Sequence, residues 1–333
     1  MNYLRLFAIA ACLMLTTCTG SRQDTATNGT TADHKRRRIA LVPKGDSHSF
    51  WQSVHAGAAK AAYELDADLM WQGPLKEDDQ KMQVETVNGF VKQHVDALIL
   101  APLDAQALVP PVQAAVRQKI PVVIIDSDLR SSVHHAFIAT DNRLGGRISA
   151  KRLCEQLGGR GKVALLRYAK GSASTNAREA GFLEGLREYG PRVVLVSDRL
   201  YAGVTVEQAT KAATSLLTKH PDLNGVFTPT ETSTQGTLQA LRTRGKAGRV
   251  KFVGFDSNSL LLNALQKGEI HGLAVQDPFA MGYESVKTAI AILNKQGYEK
   301  RLDTGVFMVT KDNLNDPAIR ELLNPDLTKW LRE

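Results

Sequence analysis

From residue 39 onward, short and mostly apolar runs of four or five residues alternate with longer stretches in which apolar positions recur every three or four residues. The runs are IALVP (39–43), DLMW (68–71), ALIL (97–100), VVII (122–125), KVALL (162–166), VVLVS (193–197), GVFT (225–228), KFVGF (251–255) and GLAVQ (272–276). They are continuous rather than alternating, as in parallel strands covered on both faces. The intervening stretches carry the helical period, for example Val54, Ala58, Ala61 and Leu65, or Leu183, Leu186 and Tyr189, and predict helices joined to the strands by right-handed crossovers. Turn signals fall between elements at Gly158-Gly159, Gly190-Pro191 and His220-Pro221. The pattern predicts an α/β protein of two doubly wound parallel-sheet lobes, one sheet built from 39–138 and the other from 162–276.

The first 38 residues break the pattern. An apolar run, LFAIAACLML (6–15), follows the basic Arg5 and is too short to span a membrane stably, so residues 1–18 are expected to be a secretory signal peptide. The run ends in Leu15-Thr16-Thr17-Cys18, which has the form of a bacterial lipobox. Acylation of Cys18 would leave the protein held to a bacterial membrane by lipid, in the periplasm or at the cell surface. Thr17 departs from the Gly, Ala or Ser usual there, and Ile9-Ala10-Ala11-Cys12 fits better locally but leaves too little apolar chain before it. A simple cleaved signal that discards both cysteines is the alternative. Residues 19–38 hold almost no apolar content and read as a flexible tether whose basic end, 35–38, would be attracted to anionic headgroups. After processing, Cys154 would carry the only free thiol, at an expected buried helix position with no internal disulfide partner.

Composition narrows the classes. The chain has 333 residues, 43% hydrophobic and 23% charged, enough for two ordinary cores. The net charge is +8, half of it in the first 38 residues, so the body lacks the concentrated basic stripe expected of a nucleic-acid binder. No apolar stretch of about 18 residues marks a spanning helix. P-loop, GxSxG, HExxH and CxxC motifs are absent, and the His134-His135 pair has no partner cluster. No catalytic residue, metal or cofactor is therefore expected.

Ligands of doubly wound sheets bind beyond the carboxyl ends of the strands. The residues just past those ends are 44–51, Asp104, 126–128, 169–176, Tyr201, Thr230-Glu231, Asp256-Ser257 and Gln276-Asp277. They supply aromatics, carboxylates, amides and hydroxyls with few fixed cations. Carboxylates accept strong hydrogen bonds from hydroxyl groups, and aromatic faces cover the C–H face of a sugar ring. This is the chemistry of a polyol site.

Seven ordered stretches then carry a likeness: IALVPKGDSHSFWQSVHAGA (39–58), IPVVIIDSD (120–128), IATDNRLGG (138–146), NAREAGF (176–182), LLTKHPDLNGVFTPTE (216–231), VGFDSN (253–258) and VQDP (275–278). In these the chain resembles the type I periplasmic binding proteins of the ribose-binding kind, solute receptors of bacterial ABC importers. The resemblance implies ligand contacts from His48, Phe50 and Trp51, with the rings sandwiching the sugar, and from Asp126, Asn176, Thr230, Asp256 and Gln276. Ser127 and Asn176 stand where the ribose binders have arginines, and Thr230 where asparagine is common, which implies a kept architecture and an altered ligand. Asp126, Asp256, Asn176 and Thr230 also fit as helix caps. The resemblance further implies a monomer that closes on a small neutral sugar or polyol and delivers it to an ABC permease. The chain would cross between lobes near 139–141, 276–278 and 302–306, giving one lobe from 39–140 plus 277–304 and another from 141–276 plus 305–333. Residues 312–333 look like a helix packed on a lobe. Three other readings stand beside this one. A receptor could report a sugar to a sensor kinase or chemoreceptor, Asp126 and Asp256 could form a glycosidase pair, and a repressor would share the two-lobe core. The repressor needs an N-terminal helix-turn-helix where this chain has a leader and a tether.

Overall fold

A computed structural model describes residues 35–46 and 48–331, so the leader, most of the tether and Cys18 lie outside the described residues. Strands β1 (Arg37–Val42), β2 (Ala67–Trp71), β3 (Ala97–Leu100), β4 (Val122–Ile125), β5 (Ala136–Ala139) and β11 (Arg301–Asp303) form a six-stranded parallel sheet in the order β11-β5-β4-β3-β1-β2. Strands β6 (Arg160–Arg167), β7 (Arg192–Tyr201), β8 (Gly225–Phe227), β9 (Lys251–Phe255), β10 (Gly272–Gln276) and β12 (Val306–Val309) form a second six-stranded sheet, β12-β10-β9-β8-β6-β7, in which only β12 runs antiparallel. The expected two-lobe α/β fold is therefore present.

The continuous apolar runs are explained by cover on both faces. In β1, Ile39 and Leu41 join the core under α1 (Ser49–Glu64) and α9 (Pro278–Leu293), while Ala40 and Val42 join the core under α2 (Gln80–Lys92) and α3 (Val109–Arg117). The second sheet is flanked alike. Helices α4 (Asn142–Gln156) and α5 (Ala173–Tyr189) contribute Leu153 and Phe182 to a core with Phe227 and Phe255. Helices α6 (Val206–Lys219), α7 (Glu231–Thr243), α8 (Ser259–Gln266) and α10 (Pro317–Leu323) cover the other face.

Both strand orders reverse direction beside the first strand of the lobe, β1 or β6, and the crevices at those switch points open at the carboxyl ends of the strands. The chain passes between sheets after β5, after β10 and between β11 and β12. The passing segments bond to one another: Asp141 N–H donates to Asp303 Oδ1 (3.0 Å), Thr140 Oγ1 to Gly305 O (3.2 Å) and Thr304 N–H to Ala139 O (3.2 Å).

The C-terminal stretch departs from its expected form. Its helix is only α10, which ends at Asn324 because Pro325 has no N–H to continue it. Ile319 inserts into the second-lobe core, and the chain then runs on until Trp330 meets Tyr63 of α1, ring centroids 5.9 Å apart. Strand β11 (Arg-Leu-Asp) has no apolar run to announce it and exists through pairing with β5.

Close helix pairs occur in both lobes. A methyl group on Gly282 of α9 would lie 1.9 Å from the Val54 carbonyl oxygen of α1, and one on Gly146 of α4 would lie 1.9 Å from that of Arg178 in α5. Gly89, inside α2, faces open space. Gly282→Ala is expected to cost about 2 kcal/mol or more through overpacking, whereas Gly89→Ala should gain about 0.5–1 kcal/mol from helix propensity. Urea denaturation of the two variants checks this, and equal effects would contradict the packing account.

Candidate functional site

The two carboxylates that end β4 and β9 are built alike. Asp126 and Asp256 both hold left-handed backbone, with φ of 58° and 62°. Each N–H is tied to the neighbouring strand, Asp126 to Ile138 O (3.1 Å) and Asp256 to Ala274 O (2.8 Å). Left-handed backbone at a residue other than glycine costs of order 1 kcal/mol and persists only where surrounding bonds impose it. Neither residue serves as a helix cap: the cap of α8 is Asn258, which accepts from Leu261 N–H at 2.9 Å.

Both carboxylates line one cavity, together with the expected His48, Phe50, Trp51, Thr230 and Gln276. Asn176 is not there. It is exposed on α5, while Ser174, Thr175 and Arg178 of the same helix reach the cavity. The Thr230 side chain lines the wall but is committed as the cap of α7, in a reciprocal box with Ser233. Phe50 and Trp51 do not form a sandwich. Their rings meet each other edge to face, 4.9 Å apart and 88° between planes, because adjacent residues on one helix cannot present parallel faces across a gap. They make a corner.

The expectation of few fixed cations is also corrected. Lys44, just past β1, is buried with its Nζ 2.5 Å from Asp126 Oδ2, and it donates to Ser127 Oγ at 2.6 Å and Ser174 Oγ at 3.2 Å. The small Ser127 leaves room for that ammonium. Arg178 is buried with NH1 3.6 Å from Asp256 Oδ2, its guanidinium stacked 3.9 Å above the Phe255 ring centroid. It donates from Nε to Asn142 Oδ1 (2.7 Å) and from NH1 to Pro229 O (2.9 Å). The cations are thus held mainly by protein groups. Such pairing is what makes buried charge tolerable.

Glu77 and Tyr168 are further cavity residues beyond the expected set. Glu77 lies in the loop after β2 and Tyr168 directly follows β6, so applying the strand-end rule to every strand would have reached both. The Tyr168 hydroxyl donates to Glu77 Oε2 at 2.6 Å. Burial first, and then the neighbouring Glu77 carboxylate, push the phenol well above its ordinary range, so it stays a neutral donor.

On the acceptor side, Gln276 Nε2 donates to Asp256 Oδ1 at 2.9 Å, and Gln276 Oε1 is buried without a hydrogen-bond partner among the described residues. Burial pushes the Asp256 carboxyl up to about 6, against the opposing pull of Arg178 and Gln276 and with added push from Glu231 and Asp126. Among the described residues no cluster of His, Cys, Asp and Glu is placed to hold a metal ion.

The model of the periplasmic binding protein domain matches residues 39–297. The chain belongs to the periplasmic binding protein family. A D-ribose/D-allose-binding protein of Pseudomonas aeruginosa is 30% identical over 317 residues, 91% of this chain and 97% of that protein. A carbohydrate transporter solute binding protein from Agrobacterium radiobacter, solved in complex with D-arabinose, has a TM-score of 0.84 at 33% identity, covering 87% of this chain and 100% of the other. An ABC transporter solute binding protein from Agrobacterium vitis with bound D-fucose has a TM-score of 0.83 at 35% identity, over 86% and 100% of the two chains. In this periplasmic binding protein the cavity is lined by residues of both sheets' strand ends, and its free capacity is mainly for accepting hydrogen bonds.

The raised Asp256 carboxyl has a measurable consequence. Because its folded value lies above the ordinary 3.8, its contribution to stability is fully present below 3.8 and is lost as pH rises through about 6. Between pH 7.5 and 4.5 the wild type should therefore gain about 2 kcal/mol relative to Asp256→Asn. Urea denaturation of ligand-free protein at both pH values measures the difference, and a difference independent of pH would contradict the burial of this group.

Proposed function

We propose that this protein captures one small neutral sugar or polyol between its lobes and delivers it to an ABC permease, without chemical change to the ligand. The observation that carries the reading is the convergence of Asp126 and Asp256, from opposite lobes, on a single cavity also lined by Gln276, whose buried Oε1 has no hydrogen-bond partner among the described residues. A hydroxyl-rich ligand donates to such groups, and charged acceptors hold these bonds strongly. The similar proteins with bound D-arabinose and D-fucose support the ligand class. An anion would meet the carboxylates of Asp126, Asp256 and Glu77 after Lys44 has already been claimed by Asp126.

The lobes, 39–140 plus 277–304 and 141–276 plus 305–333, would move as bodies about the passing segments. A ligand that touches both lobes stabilises the closed form by contacts only that form completes. The family places the protein outside the cytoplasm. Within that setting we read Cys18 as the lipid anchor, the residues after it as a tether that stops short of the expected residue 38 because Arg37 and Arg38 pair with Ala67 and Asp68 in β1, and the working unit as a monomer.

A thermal-shift panel of pentoses, hexoses and polyols should raise the melting temperature for a small subset, because a ligand bound to the native state adds to apparent stability. For the best of these, Asp126→Asn and Asp256→Asn should each weaken binding by about 2–3 kcal/mol, roughly 30- to 150-fold in Kd. Asparagine is chosen over alanine at residue 126 to keep a polar neighbour for Lys44. Affinity should change little between low and high salt, since a neutral ligand has no charge to screen. Unchanged affinity in both variants would place the ligand elsewhere, and a steep salt dependence would point to a charged ligand.

Mass spectrometry of the mature N-terminus tests the anchor. A diacylated or triacylated Cys18 is expected, and an unmodified terminus beyond residue 18 would remove the lipoprotein reading.

A further inference from the structure

We propose that Glu77 is a positioning residue that couples lobe closure to the hydrogen bond holding the Trp51 indole. In its ligand arm this rests on the cavity being the capture site. The Glu77 carboxylate accepts two short hydrogen bonds from opposite lobes: Trp51 Nε1–H of α1 donates to Oε1 at 2.6 Å, and the Tyr168 hydroxyl, directly after β6, donates to Oε2 at 2.6 Å. Trp51 is 2% exposed and Tyr168 4%, so neither donor has water as a ready substitute. Leu75 and Lys76 before Glu77, and Asp78 after it, are exposed, while Glu77 itself turns inward to line the cavity.

The stem of Glu77 is fixed as well. A methyl group on Gly45 would lie 3.1 Å from Glu77 Cγ, and one on Gly73 would lie 2.6 Å from Pro43 Cγ, so the loops after β1 and β2 are pressed together. With the stem held by the first lobe, the carboxylate keeps Trp51 whether the lobes are together or apart. Tyr168 is different. It reaches Glu77 only when the second lobe closes, and its arrival draws charge onto Oε2 and changes the bond that Oε1 offers to the indole. The phenol is kept neutral by burial and by Glu77 itself, so it is always able to donate. Trp51 and Tyr168 share this carboxylate as their hydrogen-bond partner, which makes it the link between closure and one wall of the cavity.

The test follows the indole N–H signals of the 3 tryptophans in the full chain by nitrogen–proton NMR, assigned with Trp71→Phe and Trp330→Phe. Tyr168→Phe should shift the Trp51 signal, leave those of Trp71 and Trp330 in place, and enlarge the radius of gyration of the ligand-free protein in X-ray scattering. Glu77→Gln keeps an amide oxygen for the indole and should hold the Trp51 signal closer to its wild-type position than Glu77→Ala does. With D-ribose, D-allose, D-arabinose and D-fucose as probes, the tightest binder should dissociate about tenfold faster from Tyr168→Phe, the loss expected for one hydrogen bond to a charged group. A Trp51 signal unmoved by Tyr168→Phe, or a shift shared by all the indoles, overturns the proposal. If Tyr168→Phe does not fold, the order of Glu77→Gln and Glu77→Ala decides it. Failure of all four sugars to bind would count against the capture reading alone, because the indole and scattering results need no ligand.

Discussion

Charge withdrawn from water has to be compensated locally, and the crevice of this protein is organised around that requirement. Asp126 lies against Lys44, Asp256 against Arg178 and Gln276, and Glu77 against two hydrogen-bond donors. Each arrangement leaves a carboxylate whose position is set before any ligand arrives. A ligand then needs to bring only donors. The alternative, a carboxylate free to reorient in solvent, would lose entropy and hydration at every binding event.

The same device is used in both lobes. Left-handed aspartates follow β4 and β9, a histidine precedes β5 and β10, and its Nδ1 accepts the N–H of the strand beside it, Val122 for His135 and Phe252 for His271, each at 3.2 Å. Burial holds both rings below the ordinary imidazole range, with Lys251 and Arg152 adding to the effect for His271, so they remain neutral acceptors near pH 7. Asp141 and Asp277 then cap α4 and α9, and glycines in those helices let α5 and α1 approach to backbone contact. Rigid lobes of this kind leave the passing segments as the place where motion is cheapest. Cross-lobe bonds such as Ser127–Ser174 (2.7 Å) and Ser49–Glu231 (3.1 Å) are what separation would break.

Much of the fold was legible because fully covered parallel strands must be continuously apolar, and the strand-end rule then led to Asp126, Asp256, Gln276 and Trp51. What escaped was set by tertiary contact. Strand β11 has too little apolar character to be seen before it pairs with β5. Asn176 matched its motif in sequence, yet the rotation of α5, fixed by glycine contacts with α4, turns Arg178 inward instead. Lys44 was visible as a strand-end residue, but its role depends on the space left by Ser127, which lies 83 positions away in the chain. Glu77 sits in a polar loop with no pattern to distinguish it from its exposed neighbours.

The central claim is that carboxylates of both lobes hold one hydroxyl-rich ligand, and the crystal structure of the complex with the tightest-binding sugar tests it most directly. The account predicts ligand hydroxyls within hydrogen-bond distance of Asp126, Asp256 and Gln276 Oε1, with the lobes closed around them. A sugar seated outside this cavity, or one touching a single lobe, would contradict it.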